Sequence, residues 1–131
     1  MSGKRDIGKT IGEVEKITGI PKRTLKYFIE QRLIQPSRKS ESGYWLYSEE
    51  DVRRAQLAAL CRELEFPNRT IRSILADPSR RWPGELERQV TRLAERQRRA
   101  GARLSRAESL LASWEGEPWA SLITNPVPTA K

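Results

Sequence analysis

The chain contains no histidine, one cysteine and one methionine in 131 residues. With Cys61 alone and no histidine, there is no disulfide framework and no Cys/His cluster of metal-ligand spacing within one chain. The same shortage removes the usual general base and the Cys-His and Ser-His-Asp nucleophile arrangements. Paired carboxylates such as Glu49 and Glu50 remain for acid-base work, but their place beside Ser48 is better explained as helix capping. No catalysis, cofactor or metal is therefore expected. Long apolar runs are also missing, and the N-terminal stretch MSGKRDIGKTIGEVEK lacks the apolar core of a signal peptide. A cytoplasmic, nucleoid-associated protein without a membrane partner is expected.

Positive charge is what the chain has in excess. It carries 25 Lys+Arg against 17 Asp+Glu, a formal net charge of +8 and a pI near 10.1. A polyanion is the natural partner of such a surface, because each neutralised phosphate releases counterions. The length suits one folded unit with an appendage rather than two independent domains.

Residues 1–9 carry Lys4, Arg5 and Lys9 with little apolar content and read as a loosely ordered basic arm. Structure is expected from Thr10, where Thr10-x-x-Glu13 forms a capping box and Ile11, Val14 and Ile17 share one helical face as far as Gly19. A second helix starts near Pro21, since proline is tolerated in a first turn whose N–H groups lack partners. On it, Leu25, Phe28 and Ile29 share the face that can be buried. Lys22 with Lys26, and Arg23 with Tyr27, lie four apart and project elsewhere. Two short helices joined at a glycine give a helix-turn-helix, in which the start of the second helix reaches base edges of DNA. A merely solvated cationic face is the competing reading of these residues.

After Leu33, Ile34 and Pro36, the stretch SRKSESGYWLYS reads as a small hairpin, with Arg38 and Lys39 before a polar turn and an aromatic strand after it. Its cations and aromatic hydroxyls would run along a phosphate backbone. Alternation sends Tyr44 and Leu46 to one side and Trp45 and Tyr47 to the other, one pair belonging to the core. Ser48 then caps a third helix with Glu49, Glu50 and Asp51 in its first turn. Val52, Leu57, Leu60, Cys61 and Leu64 supply its apolar positions, with Cys61 a buried small hydrophobe. Phe66-Pro67-Asn68 breaks the chain. Ile71, Ile74 and Leu75 mark a fourth helix ending at Asp77-Pro78.

From Pro83 to Gly116, Leu86, Val90, Leu93, Gln97, Ala100, Leu104, Ala107, Leu111 and Trp114 recur alternately four and three apart, the seam of a coiled coil. A helix roughly 45–50 Å long with one apolar stripe needs a partner. Arg92, Arg96, Arg99, Arg103 and Arg106 form a cationic stripe beside the seam. The tail is broken by Pro118, Pro126 and Pro128, and its Trp119, Leu122, Ile123 and Val127 favour packing over fraying. No internal repeat is evident. The expected organisation is a basic arm over 1–9, a DNA-binding domain over 10–78, a dimerisation helix over 83–115 and a tail over 116–131.

Thr24-Leu25-Lys26-Tyr27-Phe28, then Leu33-Ile34-x-Pro36, then Ser42-Gly43-Tyr44-Trp45-Leu46-Tyr47-Ser48-Glu49-Glu50-Asp51, resembles the signature of the mercury-resistance-regulator (MerR) family of bacterial transcription factors. The resemblance runs from about Thr10 to Leu75. It implies a mostly α fold: a winged helix-turn-helix with a β-hairpin wing, a second helical pair, and a long C-terminal helix forming an antiparallel coiled coil in a homodimer. It also implies binding to a pseudo-palindromic promoter element, with DNA distortion that realigns promoter boxes for RNA polymerase. By position, Arg23, Thr24, Lys26 and Tyr27 would be recognition-helix contacts, and Arg38 and Tyr44 wing contacts. Lys22 and Lys39 join them from the cationic faces read above. Phe28 replaces the family's usual second tyrosine. Trp45 stands where an arginine usually contacts DNA, which points to an altered sequence preference.

The cysteines that the family's metal sensors carry at the end of the long helix do not occur here. Neither does a large C-terminal ligand domain, so a small-molecule effector, of unidentified chemistry, would act through the coiled coil or the tail. Trp82, Trp114 and Trp119 are candidates for an aromatic pocket between subunits, although packing is the simpler role for Trp114. Two other readings compete. One is an architectural or excisionase-like DNA-binding protein, against which the dimerisation helix argues. The other is a basic coiled-coil protein-interaction module, which leaves the aromatic wing and the cationic helix face unexplained.

Overall fold

The computed structural model describes residues 8–119. The elements in order are α1 (Ile11–Thr18), α2 (Lys22–Glu30), β1 (Arg38–Lys39), β2 (Trp45–Leu46), α3 (Glu49–Glu63), α4 (Asn68–Ala76) and α5 (Pro78–Ala112). Residues up to Gln89 form one compact unit and those from Val90 another, so the boundary falls inside α5. Most of the expected arm and the tail beyond Trp119 lie outside the described residues.

Local chemistry sets the helix ends. The Glu13 N–H donates to Thr10 Oγ1 at 3.2 Å and the Thr10 N–H to Glu13 Oε1 at 2.8 Å, completing the capping box of α1. Gly19 ends α1 at φ 78, a left-handed position that suits glycine. At the start of α3, Ser48 and Asp51 cap each other reciprocally, and Ser37 Oγ donates to the same Asp51 carboxylate. Within the acidic cluster Asp51 thus serves capping and ties the entry of the hairpin to α3, while Glu49 and Glu50 pair with Lys9 and Arg53.

The core of the first unit is built from all four short helices. Phe28, Phe66, Leu25, Leu33, Ile71, Ile74, Leu75 and Val14 are its largest buried side chains. Each contributes about 1.5–3 kcal/mol relative to exposure. On α3 the buried face is Val52, Ala55, Ala58 and Cys61, whereas Leu57 is half-buried and Leu60 is 41% exposed. The large leucines suggested otherwise. Alanines at three-residue spacing let α3 approach its neighbours closely, so small rather than bulky residues line the contact.

The hairpin pairs Arg38 with Leu46 and Lys39 with Trp45. It is not free at its far edge. Lys9 N–H donates to Tyr47 O and Tyr47 N–H to Lys9 O, both at 2.8 Å, adding a bridge from the segment expected to be loose. This bridge also changes the burial pattern. Leu46 and Tyr47 are both buried, while Tyr44 and Trp45 are both exposed. Strict alternation fails because both faces are covered here: Tyr47 joins the main core, and Gly8 lies over Leu46. A Cβ on Gly8 would stand 2.8 Å from Leu46 Cβ, and its φ of 136 adds a second requirement for glycine.

The long helix begins at Pro78, not Pro83, and ends at Ala112. Pro78 occupies the first position, where a missing N–H costs nothing, and Pro83 lies inside the helix. In the first unit, Trp82 packs against Phe66 with ring centroids 6.2 Å apart, and Gln89 is buried with its amide on Leu64 O at 2.7 Å. Trp82 is thereby half-buried against the core of the first unit, while Trp114 and Trp119, in the second unit, are exposed. In that second unit Val90, Leu104 and Leu111 are 61%, 59% and 77% exposed, leaving the seam bare in the single chain. Glu95 is held between Arg98 and Arg99. The hydrogen bond from Arg98 leads in lowering its carboxyl pKa to about 2.

Candidate nucleic-acid interface

The α2 helix separates its residues cleanly. Leu25 and Phe28 are buried, Thr24, Tyr27 and Ile29 are half-buried, and Lys22, Arg23 and Lys26 are exposed. Among the described residues, no carboxylate lies within ion-pair distance of Lys22, Arg23 or Lys26. Pro21 offers no side-chain cap, although the Lys22 N–H donates to Glu15 Oε2 at 3.2 Å. Uncompensated cations at a helix N-terminus make a face suited to anions. Beside it lies an open depression of about 580 Å³ lined by Pro21, Arg23, Thr24, Tyr27 and Arg62.

The hairpin presents Arg38, Lys39, Tyr44 and Trp45 to solvent, with Tyr44 66% and Trp45 54% exposed. Lys39 Nζ sits 4.9 Å from the centre of the Trp45 ring, so the ring holds the ammonium on the outer surface of the strand pair. Exposed aromatic rings beside unpaired cations are the chemistry of a polyanion-binding surface.

Comparison with known proteins places this geometry. The family model for the MerR HTH family regulatory protein matches residues 9–77, more than half of the chain. The chain belongs to the MerR family. It is 33% identical over 87 residues to the HTH-type transcriptional activator TipA of Streptomyces coelicolor, covering 66% of this chain and 34% of TipA. It thus spans about a third of that relative's length. It is 29% identical over 97 residues to the HTH-type transcriptional regulator CueR of Vibrio cholerae, covering 63% of this chain and 69% of CueR. The crystal structure of MtaN, the N-terminus of the Bacillus subtilis multidrug transporter activator, superposes with a TM-score of 0.74 at 27% identity. That match covers 80% of this chain and 99% of MtaN. The winged helix-turn-helix, the second helical pair and the long helix are those of this MerR family.

The expected site residues therefore stand on two adjoining pieces of one unit, α2 and the wing. Tyr27 departs from the simple picture of a side chain projecting freely. Its hydroxyl accepts from Asn68 Nδ2 at 2.8 Å, and the Arg62 guanidinium lies 5.2 Å from its ring centre. Asn68, at the start of α4, and Arg62, in the last turn of α3, were not legible as site residues.

A signal for α4 did exist. Ile20-Pro21-Lys22-Arg23-Thr24-Leu25 is echoed by Phe66-Pro67-Asn68-Arg69-Thr70-Ile71, and both segments open nine-residue helices behind a proline in the same extended conformation. The echo puts Arg69, which is exposed, at the place on α4 that Arg23 holds on α2.

Proposed function

We propose that the chain is a homodimeric, sequence-specific DNA-binding transcription regulator that binds a pseudo-palindromic promoter element and distorts it. The observation that carries this reading is the face of unpaired Lys22, Arg23 and Lys26 on α2, set in a MerR-family fold next to the cationic, aromatic wing. Its similarity to a transcriptional activator, TipA, and a transcriptional regulator, CueR, supports it. Lys22, Arg23, Thr24, Lys26 and Tyr27 meet DNA from the helix, and Arg38, Lys39, Tyr44 and Trp45 from the wing. The protein acts without catalysis, in the cytoplasm on the nucleoid, with RNA polymerase at the promoter. Any small-molecule effector would act through the long helix or the tail.

Dimerisation uses the seam from Leu86 through Val90, Leu93, Gln97, Ala100, Leu104, Ala107 and Leu111. The exposure of Val90, Leu104 and Leu111 in one chain is the support, since an apolar stripe of that length is stabilised by a second helix. The working division is a DNA-binding domain over 10–78 and a dimerisation segment over 83–115, carried by α5. The first turns of that helix, up to Gln89, are built into the first unit.

Selection of bound fragments from the source genome, read by sequencing, tests the proposal. Recovery of inverted half-sites at promoters is expected. Recovery of duplex without a common sequence would overturn it in favour of a non-specific binder.

A further inference from the structure

The polar cluster between α2 and α4 has a direction. An arginine side chain carries only hydrogen-bond donors. Arg62 Nη1 lies 3.2 Å from the Asn68 side chain, so the atom it meets there is the amide oxygen, Oδ1. That orientation turns Asn68 Nδ2 toward α2. Its two protons go to Tyr27 Oη at 2.8 Å and to Gln31 Oε1 at 3.2 Å. Arg72 Nη1 donates to the Gln31 carbonyl at 2.7 Å and holds the end of α2 against α4.

Tyr27 Oη is consequently an acceptor inside the protein. Asn68 has no second acceptor to offer it, and the hydroxyl makes no other hydrogen bond among the described residues. The Tyr27 proton is left for something outside, in the depression shared with Arg23 and Thr24. A phosphate oxygen only accepts, so it matches a hydroxyl whose proton is uncommitted. Were the amide reversed, the hydroxyl would donate inward and show a phosphate its lone pairs. Donation from a cation through an amide to a hydroxyl also polarises each bond along the chain.

We infer that Arg62 and Asn68 are positioning residues that hold the Tyr27 hydroxyl as an outward donor to a DNA phosphate. This rests on the DNA-binding reading above and adds how one of its contacts is set. It assigns to α3 and α4 a part in recognition through α2.

A double-mutant cycle tests it, using the full chain and a duplex enriched from a random-sequence library. Tyr27→Phe keeps the ring under Arg62 and removes the hydroxyl, and is expected to weaken binding roughly tenfold, as for a hydrogen bond to a charged group. Asn68→Asp retains a partner for Arg62 but can only accept, so the hydroxyl turns inward, with a similar loss. In the Tyr27→Phe background the Asn68→Asp change should cost much less than it does alone. Arg62→Met, which frees the amide to reverse, should show the same dependence on the hydroxyl and serves if the Asn68 variant does not fold. Equal fold-losses in both backgrounds would overturn the inference, because the effect would then be charge or stability and not the hydroxyl. If no duplex is enriched, the DNA reading and the inference fall together. If a duplex is enriched and Arg23→Ala weakens its binding while the cycle is additive, the inference alone falls.

Discussion

Gln89 on α5 donates its side-chain amide to the main-chain carbonyl of Leu64, 2.7 Å away at the end of α3. The glutamine is 3% exposed, and this part-buried bond satisfies a carbonyl that the helix end leaves over. It fastens the first turns of the long helix into the DNA-binding unit. Replacing Gln89 with leucine should cost about 1 kcal/mol, because a part-buried hydrogen bond to Leu64 O is then lost. Urea unfolding checks this. Amide exchange should also rise along residues 82–89 ahead of the rest of the unit.

The cationic face of α2 leads to a prediction about salt. Lys26→Ala should weaken binding across sequences and reduce the slope of log affinity against log salt by about 1, the signature of one lost phosphate contact. Arg23→Ala, by contrast, should relax preference at one position of each half-site if Arg23 reads a base edge. Binding titrations at several salt concentrations against single-base variants separate the two. Unchanged binding in both variants would remove the recognition face from α2.

Charged replacements at Leu93 and Leu104 address the seam. Leu93 is half-buried and Leu104 is 59% exposed in the single chain, so aspartate at both should leave the fold of the first unit unaltered. Light scattering should then report monomer in place of dimer. A persisting dimer would place the interface elsewhere.

Alkaline pH offers a test of the core. Burial raises the Cys61 thiol to about 11, and burial followed by the nearby Asp51 carboxylate raises Tyr47. A raised folded pKa means that the folded state holds its proton more tightly than the unfolded chain. The resulting stability is complete below the ordinary thiol pKa near 9 and is lost as pH climbs toward about 11. The urea midpoint should therefore fall between pH 9 and 11, and less so in Cys61→Ala. At pH 8 a maleimide should leave the folded protein unlabelled and label it in urea.

Arg32 sits at φ 61 just beyond α2, with its N–H on Ile29 O and the next N–H, of Leu33, on Phe28 O. This is a Schellman ending built on a residue with a Cβ. Glycine removes a strain of about 1–2 kcal/mol and adds unfolded-chain entropy worth about half as much. Arg32→Gly should raise the melting temperature slightly in calorimetry. A fall would mean that the arginine side chain stabilises more than the backbone strains.

The parts of the fold that read clearly from sequence are those where one local rule decides. The Thr10 and Ser48 caps, the Gly19 stop and the Leu25/Phe28 face each follow from residues within a turn of one another. What did not read clearly depends on neighbours distant in sequence. Ala55 and Ala58 look like surface filler until α3 is packed, and Leu60 looks like core. Pro83 looks like a start because nothing nearby reveals that Pro78 already opened the helix. Asn68 carries no sign of its bond to Tyr27, 41 residues earlier. The candidate cations on α2 and the wing were legible because exposed charge on one face needs no partner to be noticed.

The bridge between Lys9 and Tyr47 makes the wing a three-segment object closed by the residues that precede the first helix. Strands of two residues have little hold on their own shape. Their opening is therefore coupled to release of Gly8 and Lys9, and the two should exchange their amides as one cooperative unit. A fusion joined directly at Thr10 would leave α2 intact and still deprive the protein of a properly seated wing, so affinity would fall through the loss of the strand that anchors the hairpin.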